Sequence, residues 1–306
     1  SSRFLEGFTV VLNLRPVLTT VLEQSSLFLP AERSAYFYAK SGEDRSGHVD
    51  SWGSAATGVA LLEVRNIQEF SFEIDGFDEP ISLRSQSQLA SLWVGIEENH
   101  VYLDITGLPH HIWAPMLKSL FQSEKTFDVV YAEPGKYKKS TAPVEGQIYD
   151  LSEEIKGLMP IPGFASLLPR SQEQQDGEAF VALLGFEGAR FAHVLEEAQP
   201  SYERVIPVIG SPGFKPEYTF ESYLGNKRPL SDTEVWQQVR HLAANCPFSV
   251  VDFLTSYQKE NNVVSLKIAL IGTKPHALGA VLFKIQNPEL VELLYDHPIR
   301  RSGRTS

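Results

Sequence analysis

Short apolar runs and stretches of helical length alternate along the whole chain. In the first half, runs of about five residues rich in β-branched and aromatic side chains occur at TVVLN (9–13), SAYFYA (34–39), EFSFEI (69–74), VYLDI (101–105) and FDVVYA (127–132). Their length and composition predict strands. The segments between them predict helices over Val17–Gln24, Ser51–Arg65, Arg84–Glu97 and Pro109–Gln122. Strands and helices in alternation predict a mostly parallel sheet with helices on both faces.

The pattern then stops. EPGKYKKSTAPVEGQ and MPIPGFASLLPRSQEQQDGE are rich in proline, glycine and polar residues, with one helix-like piece between them at Leu151–Gly157. A domain boundary is expected there. The alternation restarts with strands at 179–185, 204–210, 265–271 and 291–295. Helices are expected over 187–199, 249–262 and 275–285, and over 231–245, where Ser231 and Glu234 have capping-box spacing. The segment 211–230 has loop composition with four aromatic residues. The expected fold is α/β, with two tandem Rossmann-like halves: 1–140, a connecting segment 141–177, and 178–306.

The ends of the two halves resemble each other. DITGLPHHIWAPMLKSL and LIGTKPHALGAVLFKI align without a gap on Pro109/Pro275, His110/His276, Ala114/Ala280 and Lys118/Lys284. Tyr131-x-x-Pro134 then matches Tyr295-x-x-Pro298. Such self-similarity suggests duplication of one unit. In each copy a strand delivers the chain to a glycine, Gly107 or Gly272, and a proline opens the next helix. The unpaired N–H groups and the dipole of such a turn favour an anion. In open parallel sheets these turns lie at the ligand-binding edge.

The candidate ligand-binding residues follow from these turns. Gly272, Thr273, Lys274 and His276 put a hydroxyl, an ammonium and an imidazole at one helix start; the competing reading is a capped turn with a solvated lysine. Asp104, Thr106, Gly107 and His110 form the matching turn, with local capping as the alternative. Glu187 and Arg190 in GFEGAR open a third helix, where Glu187 complements the helix dipole and Arg190 could grip a phosphate or carboxylate. Arg15, after the first strand, is a further candidate.

Charge and composition narrow the function classes. The net charge of −11 disfavours nucleic acid as the main partner but leaves room for a local basic pocket. The basic run HPIRRSGRTS reads as a solvated tail. The chain shows no apolar stretch of membrane-spanning length, and SSRFLEGFTV lacks the apolar core of a signal peptide. Cys246 is the sole cysteine. A cytoplasmic protein is expected. GxxxxGK[ST], GxGxxG, GxSxG and HExxH are all missing, so no cofactor, metal or nucleophile is expected from motifs.

The turn Gly272-Thr273-Lys274, closing a strand and opening a helix, resembles the ligand turn of CRISPR-associated Rossmann-fold (CARF) domains. The two-half layout resembles the related SAVED sensors of prokaryotic anti-phage signalling. That resemblance implies a sensor of a nucleotide-type ligand, held between the halves, with output through a protein partner or oligomer. In the first half Leu108 follows the glycine, without a Thr-Lys pair. The alternatives are an enzyme acting on a nucleotide or phosphate ester, with His110, His276 or Asp104 as acid or base, and a structural subunit of a larger complex.

Overall fold

In a computed structural model of the chain, which describes residues 19–144, 147–165, 177–301 and 303–305, two mostly parallel sheets share one core. The first contains β1 (Ser34–Tyr38), β2 (Val59–Arg65), β3 (Ser71–Ile74), β4 (Ile81–Ser82), β5 (His100–Asp104) and β6 (Thr126–Val130), in the order β4-β3-β2-β1-β5-β6. β2, β1, β5 and β6 run parallel, while β3 and β4 join antiparallel at one edge.

Two small antiparallel pieces follow. One is the hairpin β7 (Lys139–Val144) and β8 (Gln147–Tyr149). The other begins with β9 (Ser152–Ile155). The second sheet is wholly parallel, with β10 (Ala179–Leu183), β11 (Val205–Gly210), β12 (Arg240–Leu242), β13 (Leu266–Leu270) and β14 (Val291–Leu294) in the order β12-β11-β10-β13-β14. The last strand, β15 (Pro298–Arg300), leaves that sheet and pairs antiparallel with β9.

The α-helices among the described residues are α1 (Gln86–Gly95), α2 (His110–Phe121), α3 (Gly188–Ala198), α4 (Pro216–Asp232), α5 (Pro247–Glu260) and α6 (Lys274–Gln286). Strand alternation divides the core. Ala35, Phe37, Val101 and Leu103 of the first sheet share one buried cluster with Val181, Leu183, Val208 and Ile268 of the second, and α2 and α6 contribute Trp113 and Val281 to it. Phe180, Ala182, Val205 and Ile209 point the other way, onto Phe191 and Val194 of α3. On the outer face of the first sheet, Tyr36 packs against Trp52 at 4.8 Å between ring centres, and a 3₁₀ segment (Asp44–Ser51) covers that face in place of an α-helix.

Four expectations change. The helix expected over Ser51–Arg65 ends in strand β2: Gly58, at φ +71°, turns the chain, and VALLEVR pairs with β1. Leu151–Gly157 contributes β9, whose partner lies some 145 residues further along the chain. The loop expected over 211–230 is mostly α4. Its Gly225 lies so close to α3 that a Cβ there would sit 2.0 Å from the Phe186 carbonyl oxygen, so the glycine marks a helix contact. The helix expected over 231–245 divides into the end of α4, a 3₁₀ turn (Val235–Gln238) and β12; Glu234 takes a left-handed φ of 59°. The strand expected at 9–13 and Arg15 lie outside the described residues, and Thr19–Gln24 is not helical. No described helix is long and apolar enough to cross a membrane.

Candidate functional site: a cavity at the carboxyl edges of both sheets

A cavity of about 420 Å³ opens where the carboxyl ends of the two sheets meet. Segments following β1, β5 and β6 line it from one side; segments following β10, β11, β12, β13 and β14 line it from the other. β1 lies between β2 and β5 in the first sheet, and β10 between β11 and β13 in the second, so the direction of winding reverses beside each. Crevices at such reversals are the usual ligand sites of parallel α/β sheets.

The repeated glycines sit at these reversals, where they let two backbone turns touch. A Cβ on Gly107 would fall 1.7 Å from the Ala39 carbonyl oxygen beyond β1. A Cβ on Gly272 would fall 2.8 Å from the Leu183 and Leu184 oxygens at the end of β10. Gly107→Ala is expected to lose about 2–4 kcal/mol of stability, because the obstacle is backbone with little room to yield. Urea unfolding measures this, and an unchanged midpoint would contradict the close approach.

The candidate residues divide into wall and backing. Thr106, Gly107, His110, Glu187, Arg190, Gly272, Thr273 and Lys274 all border the cavity. Thr106 Oγ1 accepts the Ala132 N–H at 2.8 Å and ties the β5 turn to the β6 turn. Thr273 caps α6 by accepting the His276 N–H at 3.3 Å, and its hydroxyl donates to the Ala244 carbonyl at 3.1 Å. Lys274 Nζ reaches across to the first sheet's turn and donates to the carbonyls of Ile105, Thr106 and Leu108 at 2.5, 2.7 and 2.7 Å. Burial, with the Arg45 guanidinium nearby, pushes the ammonium well below its ordinary pKa. Three carbonyls nonetheless match the three donors of its charged form.

Glu187 leaves its helix uncapped. It accepts from the backbone N–H groups of Leu151 and Ser152 at 2.9 and 2.8 Å, and from the Ser152 hydroxyl at 2.9 Å, which fixes the start of β9. Arg190 forms a bidentate pair with the fully buried Asp296, at 2.6 and 2.7 Å, and donates to the Ile271 carbonyl at 3.1 Å. His110 is buried, stacks on Tyr295 at 4.6 Å, and has no hydrogen-bond partner at Nε2.

Asp104 and His276 lie behind the wall. Asp104 is 1% exposed and accepts from the Thr106 N–H at 2.8 Å, the Tyr36 hydroxyl at 3.2 Å and His48 Nε2 at 2.7 Å. The Trp52 indole donates to His48 Nδ1 at 3.2 Å, which leaves the imidazole proton on Nε2, facing Asp104. This is a satisfied buried network. His276 is fully buried against the Ala243 carbonyl at 3.0 Å, and burial pushes it down to about 4.

Several wall residues went unnoticed in the sequence. Glu43, after β1, lies between two guanidiniums: it pairs with Arg45 at 2.6 Å and with Arg304. Burial opposes its ionisation, but Arg45 and Arg304 outweigh that and push its carboxyl down to about 2. Glu133 takes the opposite course. Burial pushes it up to about 7, against the Tyr131 hydroxyl that donates to it at 2.5 Å and the nearby Arg45. Tyr137, Phe186, Phe214 and Tyr218 give the cavity an aromatic side, with Phe186 5.3 Å from Tyr137 and 5.2 Å from Tyr218.

The basic C-terminal run is built into this wall. β15 pairs with β9, Arg304 reaches Glu43, and the Lys138 N–H donates to the Arg304 carbonyl at 2.8 Å. The strap therefore crosses from the second sheet to the first, contrary to a solvated tail. The sequence signal was the basic run itself, together with Tyr131-x-x-Pro134, whose tyrosine faces the cavity.

No family model matches the chain, and no curated protein matches it significantly. The site is therefore read from its own geometry. Among the described residues, no cluster of three His, Cys, Asp or Glu side chains is placed to hold a metal ion.

Proposed function

We propose that the chain binds a nucleotide or a nucleotide-derived phosphorylated ligand in this cavity, between two Rossmann-like units that arose by duplication. The observation that carries the reading is the wall itself. Arg45, Arg190, Lys274, Arg300, Arg301 and Arg304 converge on one cavity in a chain of net charge −11, and a group of aromatic rings lines the same cavity. Guanidiniums suit phosphate oxygens, and aromatic faces suit a base. Duplication is supported by the matching order β2-β1-β5-β6 and β11-β10-β13-β14, and by Gly107 and Gly272 at equivalent reversals. Output through a protein partner, as in anti-phage sensing, extends this reading from the resemblance of the Gly272 turn.

Binding without turnover is the first form of the proposal. Hydrolysis of a phosphate ester is the second, and the observation favouring it is Glu133, a cavity carboxyl that titrates near neutrality. Thermal shift with a nucleotide panel, followed by mass spectrometry of the same samples, separates the two. Stabilisation with intact ligand supports a sensor, products support an enzyme, and no response to any nucleotide overturns both.

The shift should grow as pH falls from 8 to 7, above the range in which a phosphomonoester itself takes up a proton. Glu133 faces Tyr131, Tyr137, Tyr218, Arg45 and Glu43, and an arriving anion favours its protonated form, so binding takes up a proton. An affinity independent of pH over that range would place the anion away from Glu133.

A further inference from the structure

We propose that the strap residue Arg300 binds a phosphomonoester dianion, the terminal phosphate of a linear nucleotide, in preference to a phosphodiester. This rests on the reading of the cavity as a nucleotide site and specifies its anion.

The first argument is the balance of charge around the cavity. Among the described residues, six cationic side chains line it. Three carboxylates, Glu43, Glu133 and Glu187, line it as well, and two more, Asp296 and Asp150, pair with Arg190 and Arg301. Five carboxylates against six cations leave one positive charge over, and two when Glu133 is protonated. A phosphodiester brings one negative charge, whereas a phosphomonoester brings about 1.5 to 2 near neutral pH. With Glu133 protonated, the dianion restores neutrality and the diester falls short of it.

The second argument locates the excess. Lys274 meets no carboxylate, but three carbonyls take all three of its donors. Arg190 and Arg45 hold their carboxylates at 2.6 Å and Arg301 meets Asp150 at 3.1 Å, but Arg300 reaches Glu187 only at 3.5 Å. Glu187 already accepts from two backbone N–H groups and a hydroxyl. The other hydrogen bond of its side chain, among the described residues, goes to the neutral Ser152 hydroxyl at 3.2 Å. Burial, with the guanidiniums of Arg190 and Arg304, pulls Arg300 down to about 9, as expected of a cation short of counter-charge.

The third argument is a polar group in the same wall without a partner. His110 is 3% exposed, its Nε2 is unpartnered, and Arg300 is among the charges that depress its pKa. An anion beside Arg300 would offset the cationic field on that imidazole.

Isothermal titration near neutral pH with four probes tests this: a nucleoside 5′-monophosphate, the 3′,5′-cyclic monophosphate of the same nucleoside, the bare nucleoside, and inorganic pyrophosphate. The wild-type chain should bind the 5′-monophosphate at least about tenfold more tightly than the cyclic diester, and Arg300→Met should erase that preference while leaving nucleoside binding unchanged. Arg300→Lys, which keeps the charge on an edge strand, should retain part of it, and serves if the methionine variant does not fold. Equal affinity for the two nucleotides, or an unchanged preference in both variants, overturns the assignment. Pyrophosphate binding that depends on Arg300, with no nucleoside or nucleotide bound, keeps the anion subsite and overturns the nucleotide reading. Nucleotide binding indifferent to Arg300 does the reverse.

Discussion

Lys274→Met should lower the stability of the protein by about 3–5 kcal/mol and its melting temperature by roughly 10 °C. The side chain ends among three carbonyls, those of Ile105, Thr106 and Leu108, whose residues are at most 2% exposed. Methionine fills much of the same space but donates nothing. Three buried acceptors would then lose their donor, at about 1–3 kcal/mol each. Part of that is recovered, because a buried ammonium no longer has to be kept from water. The net loss stays large, since the carbonyls belong to the turn between β5 and α2 and cannot turn outward without breaking it. Differential scanning calorimetry without ligand gives the answer. A lysine that served only to grip a phosphate would, when replaced, leave the ligand-free melting temperature within a degree or two, and that result would reject the role of a cross-brace between the sheets.

Lys274 also shows what the sequence could convey. The run SLKIALI, a glycine and a proline marked a strand, a turn and a helix, and all three form where expected. The same punctuation located β5 and α2. Local pattern sufficed because both apolar runs are mostly buried and both helices have a proline at their start. It failed where distant partners decide the outcome. β9 is a strand because β15 returns to pair with it. α4 stays helical across Gly225 because Phe186 leaves no room for a side chain, and Pro229 is accommodated near its end. The site was legible to a similar depth. Glycine turns pointed to the cavity edge, but whether Lys274 faced a ligand or the neighbouring turn depended on where the first sheet lies. Glu43 and Arg304 are 261 positions apart, and nothing local joins them.

The buried pair of Arg190 and Asp296 supports the strap from below, and Arg190→Met should cost about 3–5 kcal/mol. Asp296 is wholly buried and follows β14 directly, at the point where the chain leaves the second sheet to form β15. Burial opposes its ionisation, yet the guanidinium outweighs burial and holds its carboxyl below the ordinary range. Without Arg190 the carboxylate is left uncompensated and its pKa rises above the unfolded value. The pH dependence of stability then changes sign at this residue. In the wild type, the Asp296 contribution is present above the unfolded pKa near 4 and is lost as pH falls through the folded value. In Arg190→Met, the folded state holds the proton more tightly than the unfolded chain, so stability falls as pH rises from about 4 through the raised pKa. Urea unfolding at pH 5 and at pH 8 measures the difference, which should be larger in the variant than in the wild type. The double variant Arg190→Met/Asp296→Leu separates pairing from packing. Removing both charges leaves no buried ion, so it should recover most of the loss and the wild-type pH profile. A double variant as unstable as the single one would show instead that the bond from Arg190 to the Ile271 carbonyl, at the mouth of the Gly272 turn, is what holds this wall in place.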